Sequence, residues 1–282
     1  PVERGAIVST PAVRDDSVYV ITIRDEAFQG LGTLHKPSLD TGKPVWRFDD
    51  GGEMRHSISR PAFDERRVFV GEGMHANHFC HLFAVDQTTG ERAWKLRAEG
   101  HLESSPVVSG GDVLFGAGDD GVYSLNAATG KENWHFKRSF HVDSRPEVSE
   151  TSVFVGSGVS RAFRKPGMLC LDRKTGNLVW EVPDELPVWG SPRLDGGAVY
   201  FGVGNGRLNS SASGDESPRG AVVALDAATG KQLWRFDCPD AVMSRPVAFK
   251  NKLFFTCRDR HVYCLDAAGG SLIWKQSLGS PI

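Results

Sequence analysis

The chain has 282 residues, 40% hydrophobic and 24% charged, with 33 Lys and Arg against 35 Asp and Glu for a formal net charge of −2. That composition can bury a large globular core, and its charge balance offers no clustered basic surface for nucleic acid or an anionic membrane. No apolar run approaches the roughly 18 residues of a membrane span, Pro1-Val2-Glu3-Arg4 lacks signal-peptide character, and Cys80, Cys170, Cys238, Cys257 and Cys264 are too scattered for a disulfide framework, a CxxC pair or a zinc site.

Six similar repeats follow one another along the chain. The first runs from Thr10-Pro11 to Trp46, with Gly42 four residues before the tryptophan and Ser38 four before the glycine. The second, from Arg60-Pro61 to Trp94, carries Asp86 and Gly90 at those places. The third, from Ser105-Pro106 to Trp134, has Asn126 and Gly130; its run Val113-Leu114-Phe115 predicts a strand and Asp119-Asp120-Gly121 a tight hairpin. The fourth, from Arg145-Pro146 to Trp180, has Val153-Phe154-Val155, Asp172 and Gly176. The fifth, from Ser191-Pro192 to Trp234, has Asp226 and Gly230, and the sixth, from Arg245-Pro246 to Trp274, has Leu253-Phe254-Phe255, Asp266 and Gly270.

The step from one tryptophan to the next proline is the same at Trp94–Pro106, Trp134–Pro146, Trp180–Pro192 and Trp234–Pro246, and slightly longer at Trp46–Pro61. The stretch from proline to tryptophan instead varies, from the short Pro106–Trp134 to the long Pro192–Trp234. The connections are therefore nearly rigid, and length variation collects inside the repeats at Ile21–Ser38, Gly71–Phe79, Gly156–Gly167 and Gly202–Gly220. Roughly 40–54 residues holding about four short antiparallel strands match the period of a propeller blade. The repeated tryptophan is then expected to wedge between blades, and the Asp-x-x-Thr-Gly segment to be a turn in which Asp and Thr satisfy local N–H groups. Shared phase also explains Gly202-Val203-Gly204 as a strand-end glycine pair, like Gly71-x-Gly73, Gly116-x-Gly118 and Gly156-x-Gly158, and Cys170 and Cys264 as small buried strand residues.

The segments Leu125–Trp134, Leu171–Trp180 and Leu225–Trp234 resemble the PQQ-like repeat of quinoprotein-type β-propellers, which include BamB-like outer-membrane assembly proteins and PQQ-dependent alcohol dehydrogenases. The resemblance implies an all-β propeller of four-stranded antiparallel blades. It implies one domain over residues 1–282 with blades at about 9–48, 58–96, 103–136, 143–182, 189–236 and 243–278. The constant tryptophan-to-proline step would place further repeat residues before Pro1 and beyond Ile282, so the expectation is part of a seven- or eight-bladed ring cut in phase at both ends. An extracytoplasmic location, periplasmic or at the cell envelope, is likewise implied. The family's dehydrogenases set an adjacent Cys-Cys pair and a Trp against the quinone; this sequence has no such pair, and Trp189 is its one candidate stacking surface.

Function is sought where the repeat is broken. Five residues before the opening proline stand Ala6, His56, His101, His141, Pro187 and Ala241, and three before it Val8, Ile58, Glu103, Asp143, Trp189 and Met243. Alternation puts both series on one side of the innermost strand, facing the expected channel mouth. The second repeat's insertion adds His75, His78 and His81. His56, His101, His141, Glu103, Asp143, His75, His78 and His81 are thus candidate ligands for a divalent metal, or an acid/base site, with solvated polar residues as the plain alternative. Two further segments are candidate partner-binding loops or simply mobile and solvated surface: the basic stretch Arg161-Ala162-Phe163-Arg164-Lys165 and the polar loop Gly204–Gly220. The leading expectation is a non-catalytic scaffold that binds a protein or small ligand at the channel-mouth face, with no nucleic acid and no cofactor. A metal-dependent or acid/base enzyme is the first alternative. A PQQ-dependent dehydrogenase is the second, disfavoured by the missing cysteine pair.

Overall fold

The computed structural model describes residues 6–7, 9–23, 30–74, 77–138, 140–158, 165–205 and 217–279. His75, Arg161–Arg164 and most of the fifth repeat's polar loop, including Asn209, Ser210 and Ser211, lie outside them. The chain forms two compact units, Pro1–Arg138 and Ser139–Ile282. Each holds three antiparallel sheets, built in chain order, and no α-helix occurs among the described residues.

In the first compact unit, Ala6–Ile7 and Ala12–Arg14 both pair with Ser17–Ile23, which is followed by Gly32–Pro37 and Pro44–Phe48, so the opening strand of this sheet is split in two. The second sheet is Ala62–Phe63, Arg67–Gly71, His81–Asp86 and Arg92–Arg97, and the third Val107–Ser109, Asp112–Gly116, Val122–Asn126 and Glu132–Phe136. In the second compact unit the fourth sheet is Glu147–Val148, Ser152–Ser157, Gly167–Asp172 and Leu178–Pro183. The fifth is Arg193–Asp195, Ala198–Gly204, Gly220–Asp226 and Gln232–Cys238, and the sixth Val247–Phe249, Lys252–Cys257, His261–Asp266 and Leu272–Ser277. Every insertion recognised in the sequence falls between the second and third strands.

Within each compact unit the middle strands are apolar on both faces because neighbouring sheets pack together. Within the second sheet, Val68, Val70, Phe83 and Val85 meet Tyr19, Ile21 and Leu34 of the first, whereas Phe69, Leu82 and Ala84 meet Val113, Phe115 and Leu125 of the third. Alternate residues of one strand thus enter opposite cores, the period-two signature of a strand buried on both sides. The fifth sheet behaves alike, with Val199 and Phe201 packed toward Phe154 and Tyr200 toward Phe255.

The tryptophans join consecutive sheets as expected. Trp46 Nε1 donates to the Gln87 carbonyl at 3.0 Å, Trp94 to Ala127 at 3.0 Å, Trp180 to Ala227 at 3.1 Å and Trp234 to Ala267 at 3.0 Å. Each acceptor directly follows the Asp or Asn of a neighbouring repeat. The turn glycines Gly90, Gly130, Gly230 and Gly270 have φ of 71° to 75°, and a Cβ there would lie 2.6–2.8 Å from the ring of the preceding tryptophan. Both the positive φ and the absent side chain are therefore required. Opposite the six tryptophans stand Lys36, Ala84, Ser124, Cys170, Ala224 and Cys264, and the register shifts immediately after each pair. Cys170 and Cys264 are thus small partners to a large ring at a β-bulge.

The turn chemistry also holds. Asp86 Oδ1 accepts from the N–H groups of Thr88 and Thr89 at 2.8 and 2.9 Å, Asp172 repeats this with Lys174 and Thr175, and Asp226 accepts from Thr229 N. In the first repeat Ser38 takes the place of Asp: its carbonyl accepts from Gly42 N and its Oγ from Thr41 N. The third sheet's hairpin is wider than expected, closed by Ala117 N donating to Gly121 O at 2.8 Å, with Asp120 turned inward.

Candidate functional site

The residues five before each proline are held by one backbone rule. The carbonyls of His56, His141, Pro187 and Ala241 accept from the N–H groups of Gly73, Gly158, Gly204 and Arg258, at one constant offset along the sequence. A serine two before the proline anchors the same strand: Ser144 Oγ donates to Gly156 O at 3.2 Å and accepts from Gly156 N at 3.1 Å. Ser59 does this with Gly71 and Ser244 with Thr256, while Ser9 and Ser104 accept from Ile21 N and Gly116 N, again at a constant offset. The glycine pairs make room for the neighbouring inner segment, since a Cβ on Gly71, Gly156 or Gly202 would lie 2.7, 2.3 or 2.4 Å from Leu102, Val188 or Val242. This serine is visible in the sequence of every repeat but the fifth, and its role emerges only when the following strand returns beside it.

In the first compact unit, His56 is buried with Nδ1 3.3 Å from the Gly30 carbonyl, and its Nε2 has no hydrogen-bond partner among the described residues. His101 is buried with its ring against Gly118, 2.6 Å from where a Cβ would stand, and Glu103 is half-buried. From the insertion, His78 has its carbonyl accepting from Arg55 Nη1 at 2.7 Å. His81 Nδ1 lies 2.7 Å from Glu72 Oε1. Glu72 is the residue that sequence reasoning missed, hidden between Gly71 and Gly73. It is 1% exposed, and its other oxygen accepts from Arg55 N at 2.7 Å. Burial, then the Glu72 charge, push the neighbouring Cys80 thiol up to about 11, so this cysteine is no thiolate nucleophile.

In the second compact unit, His141 is buried with Nε2 2.8 Å from Asp143 Oδ2, so the five-before and three-before positions share a side here, as alternation requires. The carboxylate fixes the imidazole ring, the arrangement that prepares a histidine for ligation or proton transfer. Trp189 is half-buried, its N–H donating to Gly204 O at 3.2 Å, and a Cβ on Gly158 would stand 3.4 Å from its ring.

Two further polar clusters clamp hairpins. Asp120 Oδ2 accepts from Tyr123 Oη at 2.6 Å and Glu99 N at 2.8 Å, and Oδ1 is ion-paired with Lys137 Nζ at 2.9 Å. Burial pushes its carboxyl up, but these donors outweigh burial and hold it below its ordinary value. In the sixth sheet Asp259 accepts from Tyr263 Oη, and both tyrosines stack on a phenylalanine, Phe115 and Phe255, with interplanar angles of 5° and 4°. These clamps belong to the two repeats with the shortest proline-to-tryptophan stretch, Pro106–Trp134 and Pro246–Trp274. A short hairpin closed by Asp and Tyr replaces the insertion found elsewhere.

The family model described as "Outer membrane protein assembly factor BamB" matches residues 31–210 and 218–282. The chain belongs to this family. BamB of Burkholderia pseudomallei is 27% identical over 268 residues, 83% of this chain and 66% of that protein. Tetrathionate hydrolase of Acidithiobacillus ferrooxidans is 28% identical over 122 residues, 39% of this chain and 24% of the hydrolase, and quinoprotein alcohol dehydrogenase PedE of Pseudomonas putida 33% over 81 residues, 28% and 11% respectively. The chain thus spans a quarter or less of the length of these two relatives. The solved structure of BamB from Moraxella catarrhalis superposes with a TM-score of 0.73 at 18% identity, covering 98% of this chain and 78% of that one. The fold class is therefore the expected β-propeller of four-stranded blades. No two cysteines of this chain are adjacent in sequence, unlike the pair expected of the family's dehydrogenases, and the Trp189 N–H is bonded to its own blade.

Proposed function

We propose that residues 1–282 form one propeller domain that serves as a non-catalytic, protein-binding scaffold outside the cytoplasm, in the assembly of outer-membrane proteins. The observation that carries this reading is the extent of the BamB match, residues 31–210 and 218–282, whereas PedE matches 28% of the chain. Its supports are the way the recurring Trp, Gly, Ser and Asp are used for packing blade to blade, and the placement of every insertion in loops between second and third strands. Such a design holds variable loops on a rigid frame for a partner to read. The test is crosslinking of the full-length protein in its own cell envelope. A defined protein partner captured through the loops at residues 71–80 or 204–220 supports the scaffold, and its absence counts against it.

A second reading, a metal-dependent or acid/base site, draws on the His141–Asp143 pair, with His101 and Glu103 at the corresponding places one blade earlier. Metal content of the purified whole protein, before and after H141A, separates the two: a stoichiometric metal lost in the variant favours the site, and no metal in either favours the scaffold.

A further inference from the structure

In the second compact unit, the fifth and sixth blades bring two cysteines together. Cys238 ends the outer strand Gln232–Cys238, and Cys257 ends the second strand Lys252–Cys257 of the next blade. Both belong to one apolar cluster, 6% and 1% exposed, and Cys238 Sγ donates to the Phe236 carbonyl at 3.9 Å; the neighbouring Cys257 thiol and burial hold the Cys238 thiol above its ordinary range. The surrounding backbone fixes this approach. Cys257 Sγ donates to the Asp240 carbonyl at 3.2 Å and Arg258 N to the Ala241 carbonyl at 3.0 Å, so residues 238–241 run alongside 257–258. Access is unequal. Cys238 lines a cavity of about 580 Å³ with Asp184, Arg219, Arg235 and Asp237, and Cys257 is not among the residues that line it. Cys170 and Cys264 face tryptophans across their own strands, and Cys80 lies beside Glu72 and Arg55.

We propose that Cys238 and Cys257 close to a disulfide that staples the fifth blade's outer strand to the sixth blade, with a small disulfide such as oxidised glutathione as the oxidant. The Cys238 sulfur, having given up its proton, attacks the S–S bond of the oxidant and releases one glutathione thiol. The Cys257 sulfur, its proton lost in turn, then attacks the mixed disulfide, giving the Cys238–Cys257 bond and the second thiol. Two protein thiols are oxidised and one small disulfide is reduced to two thiols. Burial makes exchange slow in the folded chain, so closure is fastest during folding, when both thiols are accessible. Once formed, the link restricts the unfolded chain between Cys238 and Cys257 and raises thermal stability.

The experiment incubates the whole chain with oxidised glutathione, both folded and during refolding from urea, then alkylates free thiols in denaturant and maps peptides without reduction by mass spectrometry. The expected result is one linked peptide pair containing Cys238 and Cys257, with Cys80, Cys170 and Cys264 alkylated. A melting temperature several degrees above that of the reduced protein should accompany it. C257S should halt the reaction at a glutathione adduct on Cys238. Should that variant fail to fold, the wild-type map decides alone. Cys238 and Cys257 both alkylated after refolding with oxidised glutathione, or either one linked to a different cysteine or a second chain, would overturn the proposal.

Discussion

Single side chains in this protein act by closing hydrogen bonds that the strand ladder leaves open. Ser144 bonds both polar groups of Gly156 inside the core, so S144A leaves a buried N–H and C=O unmatched. We expect a loss of about 1–3 kcal/mol in urea denaturation. The fifth repeat, which has Gly190 at this place, will not gain from the reverse change: a Cβ there would lie 2.8 Å from the Ser244 carbonyl, so G190S should also destabilise. Asp120 supplies a pH dependence. Its carboxyl titrates lower in the folded chain than unfolded, so its contribution is fully present above about pH 4, the unfolded value, and is lost as pH falls through the lowered folded value. Denaturation midpoints measured across acid pH should fall more steeply for the wild type than for D120N, and Y123F should weaken the effect.

At the scale of the strand and turn, the unit of construction is a tryptophan on one blade seated over the next blade's turn glycine. W234F removes the bond to the Ala267 carbonyl and part of a buried ring, and should cost about 1–3 kcal/mol. Trp274, 42% exposed, is the internal control, and W274F should change stability by less than about 0.5 kcal/mol in the same denaturation assay. Much of this was legible in advance because the Trp, Gly and Asp recur at fixed spacing, and a fixed spacing reports a fixed contact. The Asp120–Tyr123 clamp was not, because a carboxylate in a turn looks like an exposed turn residue until the tyrosine three positions on folds back over it. Glu72 was hidden for a similar reason, since its partner His81 lies across the insertion. The candidate histidines were found by departure from the repeat; what alternation could supply was the His141–Asp143 side, and what it could not supply was which ring atom meets which oxygen.

Across the whole molecule, blades of one repeat supply the frame and sequence differences collect in loops between second and third strands; the proposed function is that the protein binds another protein rather than turning over a substrate. The proposed protein partner rests on the BamB match along the chain. On that proposal the buried histidines are packed polar residues; His56 lies beside the Gly30 carbonyl and His101 beside Gly118. Native mass spectrometry of the full-length protein, purified from its own cell envelope, tests this most directly, because one spectrum reports bound protein, quinone and metal together. The expected spectrum shows the full-length protein with a stoichiometric protein partner and no quinone or metal adduct; a protein without a partner that carries one quinone or one metal ion per molecule would contradict the scaffold.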